Sequence, residues 1–173
     1  MLTICLEKPA DAAVRDALLD LAYGPGRFDK PSERLRAGRQ TAAGLSFVAV
    51  DGGKLVGTVR LWNVSAGSAG AALLLGPLAV DPDCRRRSIG SVLIQHALRE
   101  AGRRGHATIL LVGDVSYYGR FGFAAERAGR LWLPGLDAQH RLLGCELRAG
   151  ALAGAHGRIG RPVRTPASAP KAA

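Results

Sequence analysis

The segment Asp81-Pro82-Asp83-Cys84-Arg85-Arg86-Arg87-Ser88-Ile89-Gly90-Ser91 sets three consecutive guanidinium groups just ahead of a run with helical periodicity. The start of a helix offers unpaired backbone N–H groups and a partial positive charge, to which the arginines add full charges. Such a segment suits an anion such as pyrophosphate. Ser88 is placed to cap the helix, and Gly90 to let a phosphate approach the backbone. The Gly-Lys-Ser/Thr ending of a P-loop is absent, and so is the G-x-G-x-x-G of a dinucleotide fold. Taken without its neighbours the run would be a solvated basic turn. Further along, Asp114 follows the apolar residues 107–112. A carboxylate at the end of a parallel strand can deprotonate or bind a substrate group, and it can equally cap a turn.

The elements that must hold these residues follow from periodicity. Residues 10–23 carry Ala13, Val14, Ala17, Leu18 and Leu21 at three- and four-residue spacing, which predicts an amphipathic helix ended by Gly24-Pro25. A short second helix is expected after Lys30-Pro31-Ser32-Glu33, stopping at Gly38. Residues 45–50 and 54–64 are β-prone and flank Asp51-Gly52-Gly53, a hairpin pattern. Residues 71–80 form another strand, interrupted at Gly76-Pro77, where Pro removes a ladder donor and marks a bulge or break. Ile89, Val92, Leu93, Ala97 and Ala101 then fall on one helical face, opposite Gln95, Arg99 and Arg103, before Gly105 ends the helix. Residues 107–112 are wholly apolar, as in a strand buried on both faces, so strand, helix and strand make a βαβ crossover with parallel strands. Weaker strands are expected at residues 130–133 and 142–147, and a loosely structured stretch after about residue 150.

The run VDPDCRRRSIGSVLIQHAL resembles the signature of the GNAT superfamily of acetyl-CoA-dependent N-acetyltransferases: an apolar strand, V-x-P, then R/Q-x-x-G-x-G/A opening a helix. Arg85 stands first in that pattern and Gly90 last. Ser88 occupies the place of the first Gly. Tyr117-Tyr118-Gly119-Arg120-Phe121-Gly122-Phe123 is similar to the F-Y-x-x-x-G-F element of the same family and puts Tyr118 at the position of its frequent catalytic tyrosine. The resemblance extends over residues 2–149. It implies an α/β (α+β) fold: a mixed, mostly antiparallel sheet with a splayed parallel strand pair at its centre and helices on both faces. It implies acetyl-CoA as the cofactor, with the pantetheine arm lying along the exposed strand edge. Gly76-Pro77 sits where such a splay would start. Cofactor contacts are then expected from Leu78, Ala79 and Val80, from Arg85, Arg86, Arg87, Ser88, Ile89, Gly90 and Ser91, and from Tyr117, Tyr118 and Phe121. The N–H of Leu78 would polarise the acetyl carbonyl, Tyr118 would protonate the departing thiolate, and Asp114 would act on the amine. For Tyr118 the alternative is a packing aromatic with a locally satisfied hydroxyl. Phe28, Trp62, Asn63 and Asp114 border the acceptor region that the family implies, although Trp62 could equally belong to the core.

The chain has 173 residues, 47% hydrophobic, which suits one domain, expected at residues 1–150 with a basic tail at 151–173. Only 5% is aromatic, so the aromatics present merit inspection. The net charge of +10 would suit phosphate-rich ligands, but four of those charges, on Arg158, Arg161, Arg164 and Lys171, lie in the acid-free tail. Cys5, Cys84 and Cys145 are far apart and in no C-x-x-C pair, against a disulfide framework or a zinc site. No apolar run reaches the ~18 to 20 residues of a membrane span, and the N-terminal stretch, broken at Glu7 and Lys8, is unlike a secretory signal. A cytoplasmic monomer or homodimer acting on a small-molecule or protein amine is expected. Of the competing classes, a catalytically silent acyl-CoA sensor is disfavoured by Tyr118, and a nucleic-acid binder by the scarcity of aromatics.

Overall fold

Two glycines close the first hairpin. Gly52 and Gly53 take φ of 55° and 81°, the doubly positive geometry of a two-residue turn whose twist matches that of the flanking strands. They join β2 (Ser46–Asp51) to β3 (Lys54–Ala66). The computed structural model describes residues 1–162, apart from the side chains of Arg85 and Arg86. Before the hairpin come β1 (Leu2–Leu6), α1 (Ala12–Tyr23) and the short α2 (Glu33–Arg36). After it run β4 (Ala71–Val80), α3 (Ile89–Arg103), β5 (Thr108–Val112), α4 (Val115–Tyr118), α5 (Ala125–Ala128), β6 (Arg130–Trp132), β7 (Leu142–Glu146) and β8 (His156–Gly160).

The sheet has the order β1-β2-β3-β4-β5-β7, with β8 pairing both the end of β3 and β6. Along that order every pairing is antiparallel except β4 with β5, which is parallel. This is the mixed sheet with one central parallel pair that the resemblance implies. Both faces of the central strands are buried, as their unbroken apolar sequences require. Leu73, Leu75, Ile109 and Leu111 pack with Ile89, Leu93, Ala97 and Ala101 of α3. Leu74 and Leu110 pack on the other face with Leu131, Leu142 and Ile159. Further along that second face, Leu18 and Leu19 of α1 cover Ala79. Helices therefore lie on both sides. Among the described residues no helix is long and apolar enough to cross a membrane.

Three expectations are corrected. Val92 is exposed, and Ile94 takes the inward place beside Leu93, because the buried stripe of α3 turns by one position against the sheet. Ser88 makes no side-chain cap; it takes the left-handed conformation, φ 56°, at the turn into α3. The stretch after residue 150 is ordered through residue 160. Leu152, Ala155 and Ile159 are buried, and β8 pairs with two strands. The carboxylate of Glu146 accepts from the N–H of Gly150 and Leu152, at 3.2 and 2.8 Å, and so fixes the connecting loop. Residues 163–173, including Arg164 and Lys171, lie outside the described residues.

Candidate active site

The parallel ladder between β4 and β5 is only two residue pairs long, Leu73 with Ile109 and Leu74 with Leu110. Beyond it the strands part. On the β3 side, Leu75 lies opposite Leu61 but Leu78 lies opposite Val59, so β4 carries one extra residue at Gly76-Pro77. The indole N–H of Trp62 donates to the Gly76 carbonyl at 2.6 Å and fixes that bulge. A cavity of about 460 Å³ opens where the strands separate. Its floor is residues 75–78 of β4 and residues 111–114 at and just beyond the end of β5, and Tyr117 and Tyr118 of α4 stand beside it.

The ring of Tyr118 lies on Gly113, where any Cβ would overlap it. Tyr118 also packs edge-on against Tyr117 and Phe123, with centroids 4.9 and 6.1 Å away. Burial, reinforced by the neighbouring phenols of Tyr23 and Tyr117 and the carboxylate of Asp114, raises its pKa well above that of an ordinary phenol; Arg141 opposes the shift. Tyr117 reaches toward the start of α3: a Cβ on Gly90 would lie 2.8 Å from its hydroxyl. That contact gives Gly90 a reason to lack a side chain independent of any phosphate. Phe121 stacks edge-on with Tyr117 at 5.7 Å.

In the loop before α3, Asp81 accepts from the N–H of Asp83 at 3.0 Å and pairs with Lys54 at 2.7 Å. Arg87 pairs with Asp51 at 2.5 Å, so it ties the loop to the first hairpin. Ile89 is fully buried and can offer only its main chain, whereas Ser91 is partly exposed. Ala79 is buried under α1; Val80 and Leu78 are partly exposed at the strand end. The side chains of Arg85 and Arg86, from which phosphate contacts are expected, lie outside the described part of the chain.

Asp114 lines the cavity, largely exposed, with its carboxylate 3.4 Å from Nε of Arg141. Its carbonyl, rather than its side chain, accepts from the N–H of Tyr117 and Tyr118, both at 3.0 Å. Three expected acceptor residues are not brought to the cavity. Trp62 is a core residue that holds the bulge, Asn63 faces outward with its carbonyl taken by Arg39, and Phe28 is exposed under the guanidinium of Arg27. The opposite wall comes instead from Tyr23, Lys30, Glu33 and Arg36. The hydroxyl of Tyr23 donates to the carbonyl of Leu78. Tyr23 was discoverable as one of three tyrosines in an aromatic-poor chain. Arg36, one of 24 basic residues, carried no such signal.

The model of the acetyltransferase (GNAT) family matches residues 14–123, ending on the last residue of the aromatic motif. The chain belongs to this family. As a GNAT member it is an acyltransferase. A curated relative, the uncharacterized N-acetyltransferase YhbS of Escherichia coli K12, is 31% identical over 145 residues, 80% of this chain and 86% of YhbS. The crystal structure of E. coli YhbS in complex with CoA superposes with a TM-score of 0.78 at 28% identity, over 92% of this chain and 89% of that one. A GNAT acetyltransferase from Brucella melitensis in complex with acetyl-CoA gives a TM-score of 0.63 at 31% identity, over 73% of this chain and 84% of that one.

Proposed function

We propose that this GNAT protein moves the acetyl group of acetyl-CoA to a primary amine by direct attack. The observation that carries the reading is the splay of β4 from β5, with Tyr118 at its mouth. Two relatives of the same fold are described in complex with CoA or acetyl-CoA, which supports the same donor here. Acetyl-CoA supplies an activated thioester. The backbone at the start of α3, with Arg85 and Arg86, would hold its pyrophosphate. Arg87, already paired with Asp51, would steady that loop.

In an extended residue the N–H and C=O point to the same side of the strand. Since the Leu78 carbonyl turns toward Tyr23, its N–H turns toward the cavity side as well and is placed to polarise the acetyl carbonyl. Tyr118 keeps its proton through the working pH range and donates it to the departing sulfur. Asp114, at the rim, is placed to meet the amine. Positioning in the cleft supplies most of the rate.

Calorimetric titration with acetyl-CoA, followed by an amine screen with free-thiol detection, tests this. The expected result is binding in the micromolar range and thiol release with at least one primary amine. No heat and no thermal shift at millimolar acetyl-CoA would overturn the reading.

A further inference from the structure

The lining of the cavity carries more positive than negative charge. Arg27, Lys30, Arg36 and Arg141 line the same space, with Glu33 and Asp114 as the only acids among the described lining residues; Arg27 is tied to Asp20, which does not line it. None of the described residues in 81–91, where the donor's phosphates are assigned, lines this cavity. The cations therefore answer to something else.

Arg36 is the anchor. It is 8% exposed, and its guanidinium lies against Gly76 at the bulge, where a Cβ would come 2.8 Å from Nη2. One amino group meets Glu33 at 3.3 Å, while Nε is buried with no hydrogen-bond partner among the described residues. Arg36 also lines the cavity, and its guanidinium is a fork-shaped donor matched to a planar anion. Lys30 sits 3.9 Å over the ring of Tyr23, without an ion-pair partner among the described residues, and burial together with the charges of Arg36 and Arg141 lowers its pKa. Arg36 and Arg141 both act on Lys30 as like charges, and since Glu33 and Asp114 pair with them at 3.3 and 3.4 Å, Lys30 is the one of the three cations without an ion-pair partner among the described residues. An anion arriving among them would relieve that repulsion, and a second ammonium group would add to it.

Resting on the acetyl-transfer reading above, we propose that the acceptor is a primary amine that also carries a carboxylate, an amino acid, whose carboxylate is held by Arg36 and Lys30. Glu33, on the same wall, and Asp114, across the cavity just after β5, then face its amine. The cationic surroundings also favour the neutral form of that amine, which is the form that attacks. Polyamines, aminoglycosides and lysine-rich peptides bring excess positive charge to this wall and are excluded as preferred acceptors.

The test compares matched pairs: each protein amino acid against its decarboxylated amine, by free-thiol release from acetyl-CoA, on the full chain. We expect kcat/KM for at least one amino acid to exceed that of its decarboxylated partner by about tenfold or more, the worth of one charge-assisted hydrogen bond. Arg36→Gln removes the anchor but is buried, so the exposed Lys30→Gln serves beside it and should shrink that ratio about threefold or more. Acetyl-CoA binding with no amino acid turned over, with the decarboxylated amines turned over equally well, or with an unchanged ratio in Lys30→Gln, would overturn the proposal. Failure of acetyl-CoA to bind at all would instead overturn the acetyl-transfer reading on which it rests.

Discussion

Tyr118 holds its proton more tightly than a free phenol, and this has two opposed consequences for an acid that must serve a leaving thiolate. The proton is present at every working pH, because a raised pKa keeps the neutral form populated through the ordinary value of about 10. Transfer to a sulfur whose thiol has a pKa of about 8.5 is correspondingly less favourable, so the catalytic gain should fall at the lower end of general-acid effects. Tyr118→Phe is therefore expected to lower single-turnover acetyl transfer by about 10²-fold while changing the Kd for acetyl-CoA little. The pH profile of kcat should rise as the acceptor amine deprotonates and show no descending limb below about pH 10. A limb near pH 8 that disappears in Tyr118→Phe would mean that the site lowers this pKa. A second residue prediction concerns Ser88, held at φ 56°. The left-handed region costs a non-glycine residue about 1 to 2 kcal/mol, partly offset in a glycine variant by greater freedom of the unfolded chain. Ser88→Gly should gain up to about 1 kcal/mol in urea unfolding, whereas the β-branched Ser88→Val should lose about that much. Tyr118 was legible because its neighbours form a motif of fixed spacing. Tyr23, Lys30 and Arg36 were not, because they meet only after α1 and α2 have packed across the end of β4.

Elements whose apolar residues repeat with a clear period were readable from the sequence, and those stabilised mainly by their partners were not. The hairpin, the long crossover helix and the doubly buried β5 each announce themselves by pattern. β1 passed unread because LTICL is a short apolar run at the chain start, and only its pairing with β2 makes it a strand. β8 reads HGRIG, one apolar residue in five, and looks like loop sequence. What orders it is the ladder on β3 and β6 and the insertion of Ile159, fully buried, into the second face of the sheet. Ile159→Ala should therefore cost about 2 to 5 kcal/mol of unfolding free energy, as for other large core deletions. Truncation after residue 150 should abolish cooperative unfolding, because it removes β8 together with Leu152 and Ala155. A cooperative melt of that truncated chain, or a loss below about 1 kcal/mol for Ile159→Ala, would show that β8 is an appendage. Trp62 was readable only as large and apolar; the bond from its indole to Gly76 appears once β3 and β4 are in register.

At the scale of the whole molecule, the sheet remains one body although its central strands share only two residue pairs. Packing holds them: α3 clamps Leu73, Leu75, Ile109 and Leu111 from one side, and the β6–β8 layer closes over Leu74 and Leu110 from the other. The cleft is thus built into a rigid frame, and opening it requires no motion of either core. Its cost is a stretch of β4, residues 75–80, that has no ladder with β5. Amides there that face the cleft lack the protection of a paired strand and should exchange faster than those of residues 73 and 74. A donor lying along that edge would complete the ladder, so acetyl-CoA should slow exchange in residues 75–80 and in the loop of residues 81–91 together. Because the ligand binds only the folded chain, acetyl-CoA at a hundredfold over its Kd should add about 2.7 kcal/mol of stability. For a chain of this size that amounts to a rise in Tm of about 5 to 11 °C. CoA, which keeps the pyrophosphate and pantetheine, should give most of the same shift, and pantetheine without the nucleotide should protect residues 75–80 while leaving 81–91 unchanged. Protection confined to 81–91 under acetyl-CoA would leave the splay without its assigned occupant, and the cleft would then have to be assigned to the acceptor alone.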